Sequence, residues 1–177
     1  MDSKKLDKST DNRKQAPQWT VLRARILEEI DRRQEEFIEL CSKVVRHPTE
    51  NPPGNTVALA DFVGDWLRNQ GLEVEAVEPK PTWKSILSTF NNDGPAPLHF
   101  MFNGHFDVFP SGDHNAWKIP PFEGRVSDGK IHGRGVADMK GGLTASIIAY
   151  ALLSRYRDSL PPRVSLMVVA DEESGGF

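Results

Sequence analysis

Leu98-His99-Phe100-Met101-Phe102 is a nearly continuous apolar run that passes directly into Asn103-Gly104-His105-Phe106-Asp107. A second run, Val164 to Ala170, passes just as directly into Asp171-Glu172-Glu173. Runs of this length and composition are expected of strands buried on both faces in a largely parallel sheet. Between them Leu143, Ile147, Tyr150, Ala151 and Ser154 recur at helical spacing, which predicts a helix packed on that sheet. Strand, loop, helix, strand is a βαβ unit, so the class is α/β with a mostly parallel sheet.

Toward the N-terminus the apolar residues Ile26, Ile30, Phe37, Cys41 and Val44 gather on one face of a long helix, ending near His47-Pro48. Asn51-Pro52-Pro53-Gly54 reads as a rigid turn, after which Asn55 or Thr56 caps a second helix bearing Leu59, Val63, Trp66 and Leu67. Gly71 ends it. Leu72 to Val77 and Ser85 to Phe90 are read as strands, and Asn92-Asp93-Gly94 as the following turn. Val126 to Ile131 reads as a hairpin, because Asp128-Gly129 suits the positive φ values of a type I′ turn. Residues 1–20 are charged throughout and are expected to be a disordered leader; residues 21–177 are read as one globular unit.

The 22 basic and 25 acidic residues leave a net charge of -3, which gives no basic field for a phosphate backbone and argues against nucleic-acid binding. The leader has no apolar core of a signal or a membrane span, so a cytoplasmic protein without membrane partners is expected. Cys41, the single cysteine, sits in a helical pattern and reads as a buried hydrophobe rather than a nucleophile or half of a disulfide.

Open α/β sheets bind ligands beyond the carboxyl ends of their strands. His105 and Asp107 lie past one strand, Asp171-Glu172-Glu173 past the other, and Asp138 lies in the loop Gly133 to Gly142 that precedes the intervening helix. Singly, these residues read as a loop histidine, a turn former, a helix cap and a solvated acidic pair. Together they are the nitrogen and oxygen donors that zinc accepts, and a carboxylate can bridge a metal pair that activates water and polarises a carbonyl. The glycines of the loop are not a phosphate cradle, because no GxxxxGK[ST] pattern exists and Lys140 precedes the glycine pair. Arg134 is expected beside a sheet carboxylate, Lys140 in solvent, and Trp117 to Phe122 in a packed loop beneath the site. His47, His99, His114 and His132 have no companion ligands and read as structural or solvent-facing.

Gly104-His105-Phe106-Asp107-Val108-Phe109-Pro110, Trp117 through Pro121-Phe122, Asp128-Gly129, Gly133-Arg134-Gly135 through Asp138-Met139-Lys140-Gly141, and Asp171-Glu172-Glu173 follow one another in a family's order. From about Ile26 onward the chain resembles the co-catalytic zinc hydrolases that include acetylornithine deacetylase, succinyl-diaminopimelate desuccinylase, aminoacylase and glutamate carboxypeptidase. The resemblance implies the N-terminal portion of a three-layer α/β/α, zinc-exopeptidase-like catalytic domain that is incomplete at its C-terminus. It implies two zinc ions, with cobalt as a substitute: His105 on one, Asp138 bridging, Glu173 on the other. Asp107 would orient the His105 imidazole, and Glu172 would be the general base. A cis Asp138-Met139 peptide is implied as well.

The implied substrate is a small N-acyl amino acid or short peptide, cleaved at an amide bond by a whole protein that is homodimeric. The family pattern has a further acidic ligand and a final histidine beyond Glu173, together with an inserted dimerisation domain. The isolated segment is therefore expected to bind zinc poorly and turn over nothing. The competing expectation is a non-catalytic truncated homologue or a regulatory partner.

Overall fold

The computed structural model describes residues 16–91, 98–160 and 162–176, with side chains from residue 19. The leader's residues 1–15 and the expected turn at Asn92-Asp93-Gly94 lie outside the described residues. Residues 16–20, expected in the leader, are helical.

The long N-terminal helix read from the sequence is two helices, α1 (Ala16–Arg32) and α2 (Gln34–Val45). Neither glycine nor proline marks the break, so nothing in the sequence signalled it. The chain divides into two compact units at this point, residues 1–34 and 35–177. Within the first, Arg33 pairs with Glu29 one turn earlier at 3.2 Å.

In the second unit α3 (Val57–Asn69) starts after Thr56, and the backbone N–H of Val57 bonds the Asn55 side chain. Gly71, at φ +80°, closes the helix as its N–H reaches the Arg68 carbonyl. Next come β1 (Glu75–Lys80), β2 (Trp83–Phe90), β3 (His99–His105), β4 (Arg125–Ser127), β5 (Lys130–His132), α4 (Gly141–Ser154) and β6 (Arg163–Val169).

The main sheet has the order β1-β2-β6-β3. β3 and β6 are parallel and joined through α4, as the βαβ reading requires, with His105 opposite Val169. The sheet is not mostly parallel, however: β2 runs antiparallel to both β1 and β6. The β1-β2 pair is antiparallel because Pro81-Thr82 reverses the chain between these consecutive strands, with Thr82 at φ 72°; β2 and β6 are not consecutive, and no single turn dictates their pairing.

Ile86, Phe90, Val164, Leu166 and Val168 share one face of the sheet and pack with Leu59, Val63 and Leu67 of α3 and Leu143, Ile147, Tyr150 and Ala151 of α4 in one buried cluster. Of the three expected layers, the described residues supply the sheet and this helical layer. The opposite face carries the linked polar side chains Thr89, Ser165 and His99, each 2.8 Å from the next, beside an open hollow of about 410 Å³.

β3 departs from the expectation of burial on both faces, because it is the edge strand. Leu98, Phe100 and Met101 are 68%, 53% and 42% exposed, while Gly104 and His105 at its other end are buried. The stretch Val136–Ser154 is long and apolar enough to cross a membrane by composition, but here its residues Leu143, Ile147 and Tyr150 are buried in the cluster just described. β4 and β5 form the expected hairpin, with Asp128 at φ 52° and Gly129 at φ 70°.

Candidate metal centre

The parallel pairing of β3 with β6 sets both carboxyl ends on one side of the sheet. Phe106 N–H continues the ladder to the Val169 carbonyl, and the chain beyond β3 is then gripped by residues 49–51: Val108 N–H bonds the Thr49 carbonyl and Asn51 N–H bonds the Val108 carbonyl, both at 2.9 Å. Thr49 Oγ1 also donates to the Phe106 carbonyl at 2.7 Å. These bonds fix Asp107, which has no exposed side-chain surface.

Asp107 is the hub. Its carboxylate accepts Asn51 Nδ2–H at 2.9 Å, Glu172 N–H at 3.0 Å and Glu173 N–H at 2.9 Å. Burial alone would raise its pKa, but the hydrogen bonds from His105, Asn51, Glu173 and Glu172 outweigh burial and hold it below the ordinary carboxylate range. His105 Nδ1 lies 2.9 Å from the Asp107 carbonyl and 3.3 Å from its carboxylate, so this nitrogen carries the hydrogen and Nε2 faces outward.

Asp138 reaches the same place from the wide turn Val136–Lys140, whose φ and ψ leave the helical region at Asp138 and Met139. The Asp138-Met139 peptide is cis, as the resemblance implied. Gly135 opens this turn at φ +75°, where a β-carbon would collide with Val108. Asp138 Oδ1 is 3.3 Å from His105 Nε2, and Glu172 Oε2 is 3.8 Å from the same nitrogen. The donor atoms of His105, Asp138 and Glu173 all lie within 4.8 Å of one another. Glu173 is steadied by Phe109 N–H at 3.1 Å.

The electrostatics of the cluster call for positive charge. His105 is raised to about 9, first by its bond to Asp107 and further by the charges of Asp107 and Glu172, so the acids around the imidazole favour positive charge at this position. Glu173 is raised by burial and by the nearby Asp138, even though the Phe109 N–H favours its ionised form. An outward imidazole nitrogen among carboxylates is a donor set of the hard and borderline kind that a divalent transition ion accepts.

Two expectations about neighbouring residues are corrected. Lys140 is fully buried rather than in solvent; its Nζ donates to the His47 carbonyl at 2.5 Å, and burial lowers its pKa to about 7. Arg134 lies over the Trp117 ring, 5.3 Å from its centroid, instead of pairing with a sheet carboxylate. The loop expected to be packed is so in part: Pro121 is buried and Trp117, Ile119 and Phe122 are half-buried, with Trp117 Nε1 donating to the Ser111 carbonyl at 2.9 Å, while Lys118 and Pro120 are exposed. His47, His99, His114 and His132 each bond a neighbour outside the cluster. Cys41 is buried and free. The sequence reading missed Asn51, whose amide also donates to Asp171 Oδ1 at 2.6 Å; Asn-Pro-Pro-Gly signalled a turn and hid the side chain's task.

Fold and cluster together define an α/β protein with an imidazole and carboxylate site at the ends of parallel strands. Residues 101–177, which contain the whole donor cluster, match the model of peptidase family M20/M25/M40. An N-formyl-4-amino-5-aminomethyl-2-methylpyrimidine deformylase of Halalkalibacterium halodurans is 32% identical over 152 residues, covering 85% of this chain and 36% of the relative. Among solved structures, human carnosine dipeptidase 1 superposes with a TM-score of 0.72 at 24% identity, over 86% of this chain and 35% of that one. A dinuclear metal binding peptidase from the M20 family of Bacillus subtilis has the same fold, with a TM-score of 0.56 at 20% identity over 80% of this chain and 37% of its own. The chain spans 34–36% of the length of the curated relatives it matches. The family's homologues are metallohydrolases that act on amide or peptide bonds.

Proposed function

We propose that this chain contributes the N-terminal part of a two-zinc centre in a cytoplasmic enzyme that hydrolyses an amide bond of a small N-acyl amino acid or short peptide. The observation that carries the reading is the meeting of His105, Asp138 and Glu173 within 4.8 Å, from three separate stretches of chain. In this reading His105 holds one ion, Glu173 the other, and Asp138 bridges them. Cobalt substitutes for zinc. Bound there, the pair would supply Lewis acidity toward the substrate carbonyl and toward water.

The chain's own residues do the rest. Asp107 keeps the hydrogen of His105 on Nδ1 and so keeps Nε2 available as a donor. Glu172 is about three-fifths exposed and lies beside His105, so it can take a proton from the attacking water and pass it to the leaving amine. Two ions sharing Asp138 receive two donors each from this chain, fewer than the three usual for catalytic zinc, so the complete centre takes donors from elsewhere and the isolated chain binds zinc weakly.

The test is metal analysis followed by turnover of N-acetyl amino acids and dipeptides, on this chain and on a longer polypeptide that contains it, with zinc and with cobalt. Zinc-dependent turnover by the longer polypeptide is expected. Zinc binding without turnover on any of these substrates would leave a non-catalytic partner instead, and absence of metal binding in both would end the reading.

A further inference from the structure

Asp107 and Asp171 are both buried, 0% and 7% exposed, and follow the two strands that carry the donor arms. Buried carboxylates need compensating donors. Among the described residues the one side chain that serves both is Asn51, itself 1% exposed, with Nδ2 at 2.9 Å from Asp107 Oδ2 and 2.6 Å from Asp171 Oδ1. Asp171 has few other holds: Ser174 Oγ donates to the same Oδ1 at 2.6 Å, and Oδ2 is buried with no partner among the described residues.

Resting on the metal-centre reading above, we propose that Asn51 is a positioning residue that locks the two arms of the site to each other. One amide hydrogen holds Asp107, and through it His105. The other holds Asp171, at the base of Glu172 and Glu173. The backbone of Asn51 is itself anchored, because its N–H bonds Val108 and so ties this residue to the extension of β3. Both acceptors are carboxylate oxygens, so the side chain must present its NH₂ group to them.

The choice of a neutral donor has a chemical reason. Lysine or arginine between the two acids would hold them at least as firmly, but would place a positive charge behind His105 and oppose a cation in front of it. Asparagine donates one bond to each acid and adds no charge of its own. Gly54 assists: a β-carbon there would lie 3.2 Å from Asn51 Oδ1 and 2.7 Å from Trp83 Nε1.

The experiment compares wild type with Asn51→Ala and Asn51→Asp, using zinc affinity by calorimetry in a longer polypeptide that contains this chain and amide exchange without added metal by NMR on the chain itself. Glu172 and Glu173 N–H bond Asp107 and not Asn51, so a merely local packing role would leave their protection unchanged. Both variants are expected to lose that protection and to weaken zinc binding by about 10- to 100-fold. Asn51→Asp fills about the same volume but, ionised, offers no donor and adds a third carboxylate beside the other two, and is expected to be at least as damaging as Asn51→Ala. Wild-type protection of Glu172 and Glu173 in both variants, or Asn51→Asp indistinguishable from wild type, would overturn the proposal. If the variants do not fold, slow exchange of the Asn51 side-chain hydrogens in wild type supports the lock, and exchange at the rate of a free amide refutes it. Absence of zinc binding by the wild-type longer polypeptide would count against the metal-centre reading, while the exchange data would still decide the role of Asn51.

Discussion

The two ends of β3 reverse the usual association of apolar with buried and polar with exposed. At its amino end, Leu98, Phe100 and Met101 stand largely open along the sheet edge, whereas just past its carboxyl end Asp107 is completely enclosed. The difference lies in partners. An edge strand offers its first residues only one neighbour, here β6, and hydrophobic character alone does not supply a cover. Asp107 is enclosed because each carboxylate oxygen has N–H donors waiting for it, and an ionised group can be buried on those terms.

The largest effect should come from the polar end. In a polypeptide that carries the proposed activity, Glu172→Gln is expected to reduce kcat by roughly 10²- to 10⁴-fold while zinc content stays the same. Steady-state kinetics alongside metal analysis checks this, and unchanged kcat would remove Glu172 from the chemistry. Next comes Asp107→Ala, which strands the Asn51 amide and the N–H groups of Glu172 and Glu173. Its expected cost is about 3–5 kcal/mol in denaturant unfolding. A loss below about 1 kcal/mol would mean that the hub of hydrogen bonds is not what encloses this end.

Glu50 supplies a smaller contrast in the same neighbourhood. It accepts the N–H and the hydroxyl of Ser111, both at 2.6 Å. Burial pushes its pKa up, but these two bonds outweigh burial and hold it below its ordinary value of 4.5. A depressed carboxyl contributes stability that is present above 4.5 and disappears as pH falls through the lower folded-state value. Glu50→Gln should therefore lose stability at neutral pH, by about 1 kcal/mol or less after solvent screening, and show a shallower acid limb in thermal melts. An acid limb identical to wild type would contradict this. Smallest of all, Leu98→Ser at the open end should change unfolding free energy by no more than about 0.5 kcal/mol. A cost comparable to a core substitution would show that this end is covered in solution and would erase the contrast.

The contrast also explains what could be read in the sequence. β3, β6 and α4 were legible because their apolar periods are long, and the β4-β5 hairpin because Asp128-Gly129 announces its turn. The antiparallel half of the sheet was not legible, since Pro81-Thr82 turns the chain without the glycine or asparagine that normally marks positive φ. Burial of the amino end of β3 was overestimated because an apolar run does not disclose whether its strand is central or at an edge. In the site, His105, Asp138 and Glu173 were found by donor chemistry and their place in an ordered set of motifs. Lys140 was placed wrongly because a lysine defaults to solvent, and only coordinates reveal a carbonyl waiting for its amine. Asn51 was hidden for a related reason: its acceptors lie 56 and 120 positions away.

The parallel union of β3 and β6 also has a bearing on how the molecule is assembled in time. Its partners are separated by the whole connection from residue 106 to 162, so closing it is a long-range event that must overcome more chain entropy than the meander of β1 and β2. Hairpins and isolated helical turns can flicker into being before that closure, but the two groups of donors cannot meet until it happens. Assembly of the donor cluster is thus a late milestone of folding, and a pulse-labelled chain interrupted before β6 docks would carry every residue of the cluster without bringing them together.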